Sequence, residues 1–218
     1  MVEQINLAIQ AAPVVHFDET SMHVGRTQHG LHSASTKSLT WYGAHPKRGK
    51  EALDRVGILP VFVGVAVHDG GKPYAHYDGM HALCNAHHFL GRNQALLTQA
   101  WKLHPQQERD PTRIDKRGII QQTFTYNLLA RLARYSDEVW RFITDHRVPF
   151  DNNQAQRDIR MPKLKQKISG CFRTTHGFEA RCTIRSYLAS LRKQEMPLFQ
   201  ALAYTFSGNV PQPCLDAE

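Results

Sequence analysis

The chain has 218 residues, 41% of them hydrophobic and 21% charged, which is enough apolar material for a packed core. No run approaches eighteen consecutive apolar positions, so neither a transmembrane helix nor a mostly disordered chain is expected. Lys and Arg total 27 against 19 Asp and Glu, and the net charge of +8 predicts affinity for a polyanion, with nucleic acid the first candidate.

In chain order, the first half reads as strands. Val14–Phe17 is a short apolar run that stops at Asp18-Glu19-Thr20, and two strand-like segments follow at 30–34 and 39–43. Pro46-Lys47-Arg48-Gly49-Lys50 leads into a short helical stretch, 51–56. The β-branched run 64–68 then ends at Asp69-Gly70-Gly71, as a buried central strand would. The second half reads as helices. Residues 96–103 are a weak helical candidate, followed by a polar stretch over 104–115. Residues 122–144 place Leu128, Leu132, Tyr135, Val139, Phe142 and Ile143 at mostly helical spacing. Pro149-Phe150-Asp151 breaks that helix. Asp151 or Asn152 then caps a short helix that runs through Arg160 and ends before Pro162. Amphipathic helices at about 178–191 and 197–206 complete the pattern. The organisation expected is one α/β domain: an N-terminal segment 1–12, a core 13–208 with a helical region at about 89–148, and a tail 209–218.

Four cysteines, Cys84, Cys171, Cys182 and Cys214, are widely spaced, form no CxxC pair and read as reduced thiols. The start of the chain lacks a basic region backed by an apolar run, so no signal peptide is expected and the location expected is cytoplasmic.

Asp18 and Asp69 both follow apolar strand-like runs, and strand ends are where an α/β sheet exposes side chains to a cleft. Two carboxylates from neighbouring strands suit a hard cation such as Mg²⁺, which takes oxygen ligands. A pair of such ions about 4 Å apart can activate a water or a 3′-hydroxyl and stabilise the leaving oxygen of a phosphodiester. From pattern alone, a turn-capping role remains the commoner one for either aspartate. Arg157, Arg160, Lys163, Lys165, Lys167 and Arg173 form a basic run that could track a phosphate backbone without reading sequence, and Lys47, Arg48 and Lys50 form a second cluster. A solvated face is the ordinary alternative for both. His81, Cys84, His87 and His88 invite a zinc reading, yet the second ligand pair is missing and a buried strand leading into a helix explains them better.

The segments HFDETSMHV, HPKRGKEALDRVGILPVF, VHDG, HALCNAHH, RVPFDNNQAQRDIRMPKLKQKISGCFRT and IRSYLASLRKQ, in that order, resemble the core of insertion-sequence-66 family transposases from about His16 to Gly208. The resemblance implies a ribonuclease-H-like mixed sheet with a helical C-terminal half. It also implies DDE chemistry, in which Asp, Asp and Glu hold two Mg²⁺ (or Mn²⁺) ions during cleavage and transfer of DNA strands. The partners it implies are insertion-sequence ends and target DNA, with the protein a homo-oligomer on DNA and no membrane involved. Asp18 matches the first acid and Asp69 the second, and the position of the third is Gln156.

Glutamine keeps a carbonyl oxygen but loses the charge, which makes it a poor ligand for a hard cation. Asp158 lies roughly 200° around the helix from Gln156. Asp151 is wanted as a cap, and Glu19 points to the opposite face of a continuing strand from Asp18. The expectation is therefore impaired or absent catalysis, with Asp18 and Asp69 holding one metal weakly. A non-catalytic DNA-binding or oligomerising remnant is the alternative. Gly71 stands where the family carries an aromatic residue. The chain also begins almost at the expected catalytic core, without the family's N-terminal end-recognition modules, as a decayed copy or one part of a split transposase would.

Overall fold

The computed structural model describes residues 1–85, 99–105 and 122–216. It is a mixed α/β structure built on one five-stranded sheet in the order β3-β2-β1-β4-β5. The strands are β1 (Val14–Val24), β2 (Thr27–Ser35), β3 (Thr40–His45), β4 (Val65–His68) and β5 (Met80–Leu83). The first three pair antiparallel, while β4 lies parallel to β1 and β5 parallel to β4.

Helices cover both faces of the sheet. α1 (Val2–Gln10) buries Ile5 and Ile9, one turn apart, against Val15 and Phe17 of β1 and Leu39. α2 (Lys50–Val56) and the 3-10 turns Leu59–Val61 and Lys72–His76 close the same face through Leu53, Leu59 and Tyr74. The N-terminal segment is thus part of the core. The described helices of the second half are α3 (Phe124–Arg134), α4 (Ser136–Thr144), α5 (Asn153–Ser169), α6 (Thr175–Lys193) and α7 (Leu198–Phe206). α6 packs Phe178 and Cys182 on Met22, Val24, Leu31 and Tyr42, an apolar cluster on the other side of β1 from Phe17.

Strand β3 forms an edge, and its outward amides would be unsatisfied without α6. Ser190 Oγ accepts from Thr40 N at 3.0 Å and Ser186 Oγ from Tyr42 N at 2.8 Å. Each hydroxyl donates in turn to a carbonyl one turn back on its own helix, at 2.9 and 2.8 Å. Two small polar side chains therefore turn a helix into a cover for a strand edge.

The structure corrects three expectations. β1 does not stop at Phe17 but runs to Val24 in a hairpin with β2, because Gly25, at φ 57°, supplies the left-handed residue the tight turn requires. The stretch 122–144 is two helices, divided at Tyr135. The helix that starts at Asn153 does not end before Pro162; it continues to Ser169. A proline inside a helix removes the N–H that would reach the carbonyl four residues back. Here that carbonyl belongs to Asp158, and the Tyr42 hydroxyl donates to it at 2.8 Å. The sheet supplies the bond that the proline removes.

Asp158 also anchors α5 through its carboxylate. Oδ2 accepts from Ser35 Oγ at 2.7 Å, from Thr40 Oγ1 at 3.3 Å and from Lys193 Nζ at 2.9 Å. Both partners of the Asp158–Lys193 pair are 16% exposed, so removing one leaves a charge in a largely dry place. Asp158→Ala is expected to lower unfolding stability by about 3 kcal/mol, and Asp158→Ala with Lys193→Met to recover part of that loss, both read by urea denaturation.

Candidate active site

Parallel pairing of β1 with β4 runs from Val14↔Val65 to His16↔Val67. Asp18 lies two residues past that last pair on β1, and Asp69 lies two residues past it in the turn after β4. The opening there is made by the end of β4, not by the end of β1, since β1 continues upward beside β2. Asp18 pairs with Ser33 across the hairpin and its Oδ1 accepts from Glu19 N at 2.8 Å. Asp69 is exposed in the turn after β4, where its Oδ1 accepts from Gly71 N at 3.0 Å.

A third carboxylate lies close by. Burial raises the pKa of Tyr74 well above its ordinary value, and the fields of Glu19, Asp69 and Asp18 add to that effect in this order. Glu19 is committed elsewhere: its Oε1 accepts from Arg48 at 2.8 Å, and its Oε2 lies 3.5 Å from His32 Nδ1. Burial lowers the pKa of His32 despite the nearby Glu19 carboxylate, so at neutral pH this contact is not an ion pair.

The turn that carries Asp69 is held by two neutral imidazoles. Gly70 N donates to His68 Nδ1 at 3.0 Å, which leaves His68 Nε2 to donate to His81 Nδ1 at 2.9 Å. His81 Nε2 then donates to Tyr77 O at 2.8 Å. The buried His68 ring stacks on Tyr74 with centroids 4.3 Å apart. His81 and Cys84, half of the weak zinc motif, serve structure here: Cys84 is buried and its Sγ accepts from Asn152 N at 3.1 Å. His87 and His88 lie outside the described residues.

Gln156 stands on the first turns of α5, and the register of that helix is fixed by Asn152. Asn152 is 1% exposed; its Nδ2 donates to Phe17 O at 2.7 Å and its Oδ1 accepts from His16 Nδ1 at 2.8 Å. Further along, Lys163 Nζ donates to Ser21 O at 2.8 Å. α5 therefore runs along β1 from residue 17 to residue 21, with Gln156 one turn after Asn152 and on its face. Asp18 lies between the same two anchors on the strand. Asp158 faces Ser35, Thr40 and Lys193 instead, and Asp151, just before the N-cap Asn152, accepts from Asn153 N at 3.0 Å, so neither acid stands in for Gln156. Among the described residues no group of three or more His, Cys, Asp or Glu side chains is placed to hold a metal ion.

The basic residues divide into two sets. Lys47 pairs with Glu51 at 2.8 Å, Lys50 with Asp54 at 2.9 Å and Arg48 with Glu19 at 2.8 Å. Lys163 reaches Ser21 O, and Lys165 sits over the Phe172 ring at 3.8 Å. Arg157, Arg160, Lys167 and Arg173 are exposed and pair with no carboxylate among the described residues.

The chain is a mixed α/β protein whose five-stranded sheet is flanked by the basic helix α5. The family model for the transposases of the IS66 family matches residues 1–102 and 90–180, and the chain belongs to that family. No curated protein and no solved structure matches it. Among the described residues no helix is long and apolar enough to cross a membrane.

Two buried imidazoles give a pH dependence. Burial lowers the pKa of both His16 and His32 below the ordinary 6.5. Below about pH 6.5 the unfolded chain binds protons that these folded imidazoles refuse, so stability falls as pH drops through that window. The thermal midpoint is expected to decrease from pH 7.5 to 5.5, with a shallower decrease in His32→Gln.

Proposed function

We propose that the chain is the catalytic core of an insertion-sequence transposase, a ribonuclease-H-like DDE protein that acts on DNA and is impaired by Gln156. The family match supports a transposase role. The strand order, with three antiparallel strands followed by two parallel ones, supports the ribonuclease-H-like reading, as does the acid on the central strand. The single observation that supports the site assignment is the parallel register of β1 and β4, whose last pair, His16 and Val67, lies two residues before Asp18 and Asp69.

Asp18 and Asp69 would hold Mg²⁺ or Mn²⁺ through carboxylate oxygens, and Gln156 would offer only a neutral amide oxygen. A bound divalent ion would activate the attacking hydroxyl and stabilise the leaving oxygen of the phosphodiester. The protein's own part is to orient. Gly71 N and Glu19 N hold one oxygen of each aspartate, and Asn152 keeps α5 against β1. Arg157, Arg160, Lys167 and Arg173 supply charge for the DNA backbone, and Lys47, Arg48 and Lys50 form a second, internally neutralised patch. Joining two element ends to one target calls for more than one copy on the DNA.

Gln156 itself favours a second reading, in which the chain binds DNA or a related copy without chemistry. Both readings are tested by Mn²⁺- or Mg²⁺-dependent nicking of the element's terminal DNA, comparing the protein with Gln156→Glu. Nicking by the variant alone is the expected result. Equal nicking by both proteins refutes the impairment, and silence in both with DNA binding intact favours the second reading.

A further inference from the structure

Three cations from separate parts of the chain meet at one cavity that none of the motifs describes. Its volume is about 390 Å³, and Lys37, Arg147 and Arg157 line it together with His16, Asp151 and Gln154. Lys37 comes from the turn between β2 and β3, Arg147 from the segment before α5, and Arg157 from the second turn of α5. The walls are fixed independently of these charges. The Gln154 side-chain amide donates to Thr36 O, and Lys193 Nζ donates to the same carbonyl at 2.9 Å, so helix and turn are tied together.

Two acids lie nearby, of which Asp145 is neutralised by Arg147 and Asp151 keeps its charge. Asp145 takes Arg147 through bonds of 3.0 and 2.7 Å, and Asp151 accepts from Asn153 N at 3.0 Å and from the Asn153 side-chain amide. Lys37 and Arg157 are exposed, and neither pairs with a carboxylate among the described residues. With Arg147 paired to Asp145, the cavity lining carries Lys37 and Arg157 against the one carboxylate of Asp151, a net positive charge that favours an anion. The cavity is also close to the acidic centre: His16 lines it, and Asp18 lies two residues further along the same strand, ~7 Å away.

We propose that this cavity seats a backbone phosphate of DNA, held by Lys37 and Arg157 with Arg147 beside them, so that the strand is gripped before it reaches Asp18. The proposal rests on the DNA-processing reading above and adds to it a defined phosphate site. Lys37 is the discriminating residue because it belongs to neither basic cluster of the sequence.

The test is fluorescence anisotropy of a labelled duplex at several salt concentrations, with the wild-type protein, Lys37→Ala, Arg157→Ala, the double variant and Lys37→Glu. Each alanine variant is expected to bind several-fold more weakly and to lower the salt slope by about one. The double variant is expected to lose less than the product of the singles, because both side chains hold one phosphate. Lys37→Glu should lose more than Lys37→Ala. Wild-type binding with an unchanged slope in Lys37→Ala overturns this site alone, whereas no wild-type binding even at low salt overturns the DNA reading with it. A thermal shift by inorganic phosphate that needs Lys37, with DNA binding unchanged, assigns the cavity to a small free anion and also overturns the proposal.

Discussion

Helix α5 carries Gln156 and most of the basic run, and both are placed by one buried side chain at its N-cap. Asn152 donates to the Phe17 carbonyl, accepts from His16 and gives its own backbone N–H to the Cys84 sulfur. Those partners lie on β1 and just after β5, so a single amide joins the start of α5 to two elements of the sheet region. Leaving any of these polar groups unsatisfied at 1% exposure would cost about 1–3 kcal/mol each. Rotating α5 by one residue would break these bonds together, and would also pull Asp158 from Ser35, Thr40 and Lys193.

That anchoring fixes the surroundings of Gln156, the position proposed for a third acid. The nearby acids are each engaged elsewhere, since Glu19 binds Arg48, Asp151 accepts from the Asn153 backbone amide and Asp158 holds Lys193. A carboxylate moving to replace the missing one would have to give up an existing partner. On the proposed reading, the charge absent at position 156 is therefore not replaced by a neighbour, while the imidazole pair behind Asp69 and the hairpin that carries Asp18 form a complete frame.

Much of this frame is legible in the sequence, because short apolar runs ending in turn residues mark buried strands. β2, β3, β4 and the aspartates beside β1 and β4 follow from that pattern, and the family follows from long segments around the DNN motif. What the pattern hides is tertiary. β1 continues past Asp18 because a hairpin partner satisfies its polar residues, which no local run reveals. Pro162 reads as a helix stop until the Tyr42 hydroxyl is seen to take the orphaned Asp158 carbonyl. Lys37 looks like any surface lysine, since its neighbours in space, Arg147 and Arg157, are more than a hundred residues away. α1 escapes notice because it stands apart at the start of the chain, although Ile5 and Ile9, one turn apart, are fully buried.

The central claim is that α5 brings position 156 to the two aspartates and that a carboxylate is all the position lacks. Mn²⁺ affinity, measured without DNA by electron paramagnetic resonance for the wild-type protein, Gln156→Glu and Gln166→Glu, tests it most directly. Binding about tenfold tighter in Gln156→Glu, with Gln166→Glu unchanged, is the result predicted. Equal affinity in all three proteins would contradict it, because position 156 would then face away from Asp18 and Asp69.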